Sequence, residues 1–129
     1  MNIRTDFKSI LTLEEIKIVD SVFKRSEDNV DDLSLGLDID RSIEKMSENK
    51  YKISLVVRIC DDDNKLNVYV KCIGIFTIER YEQSLIERNA LAIMFPYVRS
   101  YISTITTQPG MSPIVLPAIN IVALLNSKK

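Results

Sequence analysis

Residues 51–72 read YKISLVVRICDDDNKLNVYVKC, and the fold turns on them. Tyr51, Ile53, Leu55, Val57 and Ile59 alternate with Lys52, Ser54, Val56 and Arg58. Leu66, Val68, Val70 and Cys72 resume the alternation beyond Asp61-Asp62-Asp63-Asn64-Lys65. A period of two puts one apolar row on one face of a strand. A short polar run between two such rows is a turn, so the stretch predicts a long antiparallel hairpin. Upstream, Leu33, Leu35, Leu37 and Ile39 alternate with Ser34, Gly36, Asp38 and Asp40, which predicts a further strand. Residues 9–23 predict another, with the alternation slipping at Glu14-Glu15 as a β-bulge would make it slip. Sequential strands with short connections favour an antiparallel sheet covered on one face.

Downstream the period changes. Leu91, Met94, Phe95, Val98, Tyr101, Ile102 and Ile105 keep helical spacing. Pro96 lies inside this run and starts or kinks a helix. The pattern predicts a short helix near 82–89 and a longer one near 93–107, together one long, kinked helical arm ended by Gln108-Pro109-Gly110. Residues 111–117 hold Pro113 and Pro117 and are expected as an extended crossover. Residues 119–126 are apolar and predict a short last helix. The expected architecture is α+β: one domain over 1–129, with a four-stranded antiparallel sheet and the helices packed on one side.

Charge is unevenly spread. Residues 27–48 carry eight acids against Arg41 and Lys45, whereas residues 89–127 carry a single charge, Arg99. The net charge of −1 gives no global basic field for nucleic acid. The chain has no His, and so lacks the side chain best suited to proton transfer near neutral pH and the commonest metal ligand. The three glycines, Gly36, Gly74 and Gly110, form no phosphate-cradling loop. Asp61-Asp62-Asp63 lacks the Gly and terminal Glu of a calcium loop and reads as a solvated turn, and Asp38 with Asp40 reads as a solvated strand face. Cys60 and Cys72 read as free thiols. Neither a signal peptide at residues 1–9 nor an uninterrupted apolar span is expected, so the chain is expected to be cytoplasmic, without membrane insertion. No enzyme activity, cofactor or metal is expected. Arg99 reads as a structural or intersubunit contact. The apolar surplus around the long helix exceeds what one helix layer hides, and so predicts contact with another subunit or with a ligand.

Four segments together resemble the SecB export-chaperone family: Gly74-Ile75-Phe76-Thr77-Ile78, Phe95-Pro96-Tyr97-Val98-Arg99, Pro113-Ile114-Val115-Leu116-Pro117-Ala118-Ile119-Asn120, and Ala123-Leu124. Leu37-Asp38-Ile39-Asp40 followed by Tyr51 is similar to its second strand. The resemblance covers about residues 9–125. It implies an ATP-independent holding chaperone, a homotetramer built as a dimer of dimers, with unfolded client polypeptide held in apolar surface grooves. It implies client contacts at Leu37, Ile39, Tyr97, Met111, Ile114, Leu116, Ile121 and Leu124. Subunit contacts are implied along the helix at Phe95, Val98, Arg99, Tyr101, Ile102 and Ile105. Within the same family resemblance lies the alternative of a chaperone dedicated to one partner, such as an antitoxin, with no part in general export. The family engages the motor SecA through an acidic sheet face and an extended C-terminal tail. Here Val19 and Tyr69 stand at two of the acidic positions, Glu15 keeps one carboxylate, and Asn126-Ser127-Lys128-Lys129 leaves no room for that tail, so SecA stays a possible but doubtful partner.

Overall fold

The computed structural model describes residues 11–127. Four strands, β1 (Leu11–Arg25), β2 (Gly36–Lys45), β3 (Lys50–Cys60) and β4 (Leu66–Ile78), precede a long helix, α1 (Gln83–Ile105), and a short one, α2 (Ile121–Ser127). The strands make one antiparallel sheet in the order β1-β4-β3-β2. Thus β2, β3 and β4 follow one another as a meander, and β1 lies against β4 at the far edge. This is the expected α+β plan.

The 51–72 hairpin forms as its pattern dictates, with Tyr51 opposite Phe76, Val57 opposite Val70 and Cys60 opposite Asn67. Every second residue of β4 from Leu66 to Ile78 is buried, and β3 buries Tyr51, Ile53, Leu55, Val57 and Ile59 on the same face. Side chains of this kind contribute about 1.5–3 kcal/mol each when removed from water. At the turn, the Asp61 carboxylate accepts the Leu66 amide at 2.9 Å and the Asp63 amide at 3.3 Å, while Asn64 takes a left-handed φ of 55°. The Leu66 amide is the main reason that the Asp61 carboxyl is held below its ordinary value. Of the three carboxylates expected to be solvated, one is therefore buried and folds the turn.

β1 shows the expected slip between Leu13 and Glu15, and a second between Ile18 and Asp20. β2 starts later and runs longer than its pattern suggests. Leu33 and Leu35 precede it, because the Leu33 amide closes a turn on the Val30 carbonyl. The two predicted helical pieces are joined: α1 is continuous through Pro96. The apolar stripe Ile86, Ala90, Leu91, Met94, Phe95, Val98 and Ile102 runs unbroken along the sheet. Pro96 and Ala92 both lie on the exposed side, where the carbonyl deprived of a partner faces solvent.

α1 approaches β4 closely above Gly74. A Cβ at Gly74 would lie 2.8 Å from Phe76 Cε1 and 3.1 Å from the Met94 sulfur. Both cysteines are free. Cys72 is buried beneath the helix, and Cys60 is half-buried on the opposite face of the sheet, so the hairpin does not bring the two thiols together. Burial pushes the Cys72 thiol up to about 11, which keeps it protonated.

Gly74→Ala is expected to lower stability by about 1–3 kcal/mol, read as a lower urea midpoint at unchanged slope. Asp61→Asn tests the turn. The folded-state pKa of Asp61 lies below its unfolded value, so the stabilisation is present above the ordinary carboxylate range and is lost as pH falls through the folded value. The variant is expected to unfold at lower urea than the parent at neutral pH, with the gap closing in strong acid.

Candidate functional site

β2 is an edge strand, and its helix-facing row is Leu37, Ile39, Arg41, Ile43 and Lys45, set by the pairing of Ile39 with Val57 and Ile43 with Ile53. Beside one end of this row lies a groove of about 500 Å³ lined by Leu37, Asp38, Ile39, Ile119, Asn120, Ala123, Leu124 and Ser127. Its two walls come from opposite ends of the chain: β2 on one side, the crossover's end and α2 on the other. Asn120 starts α2, its side-chain oxygen accepting the Ala123 amide at 3.0 Å.

The crossover between the helices is held by polar groups in an otherwise uncharged region. Arg99 Nε donates to the Leu116 carbonyl at 3.1 Å, and Ser103 Oγ donates to the Ile114 carbonyl at 2.9 Å. The Ile114 amide donates to the buried Thr106 Oγ1 at 2.9 Å. Arg25 Nη1 donates to the Gly110 carbonyl at 2.9 Å, and the Ser112 amide donates to Asp31 Oδ1 at 2.9 Å. These bonds tie the crossover to α1, to the end of β1 and to the β1–β2 connection, so the groove wall is preformed. Gly110 itself needs its positive φ of 84°, which only glycine adopts without strain.

Of the client contacts implied by the resemblance, Leu37, Ile39 and Leu124 converge on the groove. Leu37 is exposed, Ile39 is buried at its floor, and Leu124 is half-buried. Ile121 belongs to α2 by its backbone, and its side chain falls outside the described residues. Met111 and Ile114 are half-buried against the core, and Leu116 is 5% exposed within it. Leu116 therefore offers little surface to a ligand. Tyr97 is exposed, but it lies over the β1 side, lining a hollow of about 340 Å³ with Ile16, Ile18, Ser100, Tyr101 and Thr104. Both hollows lie on the helix-covered face, at opposite edges of the sheet, with the central strands between them.

The subunit contacts implied on α1 differ in how far this chain itself buries them. Phe95, Val98 and Ile102 are buried in this chain's own core, because they face the sheet. Ile105 is half-buried on the same core, Arg99 is engaged with Leu116, and Tyr101 shares a hydrogen bond of 2.7 Å with Ser21 of β1. The side of α1 left open is Ala92, Pro96, Tyr97, Ser100 and Thr104. Sequence reasoning missed Ile119, whose groove position depends on where the crossover ends. It also missed Val115, 74% exposed between Pro113 and Pro117. Alternation across the crossover was the available signal for Val115: Ile114 and Leu116 turn inward on either side of it.

A model of the family described as preprotein translocase subunit SecB matches residues 8–129. An uncharacterised protein of Methanocaldococcus jannaschii is 26% identical over 121 residues, covering 85% of this chain and 77% of its own length. The protein-export protein SecB of Orientia tsutsugamushi (strain Boryong) is 26% identical over 133 residues, 97% of this chain and 81% of its own length. In fold, the chain is similar to the Mycobacterium tuberculosis SecB-like chaperone solved in complex with a ChAD peptide from the HigA1 antitoxin, with a TM-score of 0.71 at 10% identity, over 85% of this chain and 90% of that one. Among the described residues no helix is long and apolar enough to cross a membrane.

Arg99→Ala is expected to cost about 1–2 kcal/mol, since it leaves the Leu116 carbonyl without its charged donor. It is also expected to speed backbone amide exchange across 111–117 relative to the sheet, measured by hydrogen–deuterium exchange mass spectrometry.

Proposed function

This chain belongs to the SecB family, and on that premise we propose that it is a cytoplasmic, ATP-independent holding chaperone that captures extended, non-native polypeptide in the groove beside β2. The observation that carries the proposal is the pairing of an apolar groove with an open strand edge. Leu37, Ile39, Ile119, Ala123 and Leu124 supply the apolar contacts. β2 keeps an unbroken register from Gly36 to Lys45 with β3 on one side, and among the described residues no strand pairs with its other side. An extended client adds to such an edge through main-chain bonds common to every sequence, while alternate side chains enter the groove. The other edge is less suited to this: β1 carries two register shifts and the charges Glu14, Glu15, Lys17, Asp20 and Lys24, features that discourage strand addition.

Assembly into a tetramer is part of the proposal. From Ala92 to Thr104 the open side of α1 is uncharged, and it is small at Ala92, Ser100 and Thr104, a surface that lets another helix pack closely. SecA stays outside it. The outer-face charges of the central strands are Lys50, Lys52, Arg58 and Lys71, all basic, where the resemblance implies an acidic face. One observation favours a second reading, a chaperone dedicated to a single partner: the M. tuberculosis neighbour was solved with an antitoxin peptide.

The test is aggregation of a chemically denatured enzyme diluted into buffer without ATP. The assembled protein is expected to suppress light scattering at roughly stoichiometric ratio, and Leu37→Asp is expected to lose most of that suppression. Sedimentation should give four chains per particle. A particle of that size with no suppression, for any of several unrelated clients, overturns the general reading. Capture of one dominant native partner by the same particle selects the dedicated one.

A further inference from the structure

The helix-facing row of β2 passes a second hollow. At its far end Ile43 and Lys45 line a space of about 440 Å³ together with Tyr51 and Tyr81. The two tyrosine rings are stacked, with centroids 5.1 Å apart and planes 21° from parallel. Tyr51 is buried beneath and Tyr81 is 49% exposed, so the outer ring presents an open aromatic surface. Between this hollow and the groove stands Arg41, reaching from the same row of β2 to Glu87 on α1 at 3.6 Å. Both side chains of that pair are less than one-fifth exposed, so it divides the row with a half-buried ion bridge.

Resting on the reading of the groove as a client site, we propose that β2 reads an extended client by spacing: an aliphatic anchor in the Leu37/Ile39 groove and an aromatic anchor on Tyr81, six residues apart. The number follows from register. On the helix-facing row, Leu37 and Ile39 stand at the groove and Ile43 and Lys45 at the hollow; Leu37 to Ile43, like Ile39 to Lys45, is six steps, and a strand laid beside β2 advances with it residue for residue. Six steps at about 3.4 Å span about 20 Å, and an even number returns both anchors to the same face. Five or seven would send one anchor to the opposite face. The residues between cross the Arg41–Glu87 pair, where a bulky apolar side chain gains nothing and a small or polar one is accommodated. Charge sets a further preference. Lys45 lines the aromatic hollow and favours a carboxylate next to the client's aromatic residue. The aromatic anchor gains by stacking, an interaction that depends on ring geometry as well as on area.

The experiment uses fluorescein-labelled peptides of equal composition, with one Leu and one Phe placed five, six or seven residues apart in a Ser/Thr/Gln background and an Asp beside the Phe. Affinity for the assembled protein is read by anisotropy. Spacing six is expected to bind about tenfold tighter than five or seven, and Tyr81→Ala is expected to shrink that advantage to less than about threefold. Equal affinity for all three spacings, with binding still abolished by Leu37→Asp, overturns the spacing rule and leaves the client groove standing. Binding that is indifferent to both Leu37→Asp and Tyr81→Ala overturns the groove reading and the spacing rule together.

Discussion

The structure depends on how closely α1 can lie on one face of the sheet. Gly74 is where that approach is tightest: Phe76 and Met94 occupy the space that a side chain there would take. With the helix seated, the rows of β3 and β4 are sealed, Cys72 becomes an inert thiol, and the sheet has a covered face and an open one. A single helix covers the central strands well and the edges less well. The hollows beside Tyr97, Leu37 and Tyr81 all lie at the rims of this coverage.

The two edges then differ for local reasons. β1 is long and twice shifted in register and carries charges of both signs, while β2 is regular and bordered by apolar space. The crossover after α1 turns that space into a groove by supplying its second wall. An almost uncharged segment is held there by a few polar anchors: Arg99, Ser103, Thr106, Arg25 and Asp31. Because these anchors bind backbone groups, the apolar side chains of the crossover are free to divide, Leu116 inward and Val115 outward. Such a groove offers apolar surface and backbone groups, features that suit capture of many sequences better than recognition of one small molecule.

The apolar surplus of the last third, which on composition points to a partner, is largely consumed by the chain itself. Phe95, Val98, Ile102 and Leu116 are core. What remains exposed is distributed among Leu37 on β2, Tyr81 before α1, Tyr97 on its outer side and Val115 on the crossover. An argument from hydropathy counts apolar residues correctly but does not say which surface each one covers, because the direction of a helix face is a property of the fold.

Taken alone, the sequence determined the sheet and its hairpin, since the two-residue period over 51–72 admits no other regular element. It determined the bulge at Glu14-Glu15, the end of α1 at Gln108-Pro109-Gly110, and the family, through segments such as Phe95-Pro96-Tyr97. These are local signals, carried by residues adjacent in the chain. Tertiary structure alone decided that α1 runs on through Pro96, because the buried stripe along the sheet outweighs one lost hydrogen bond on the solvent side. It also decided that Leu37 meets Leu124 across the groove while Tyr97 faces the other edge, and that Arg41 bridges to Glu87. Those pairings join residues 46 to 87 positions apart, or separate residues that look alike in sequence, and only the packing of the helix on the sheet sets their distances.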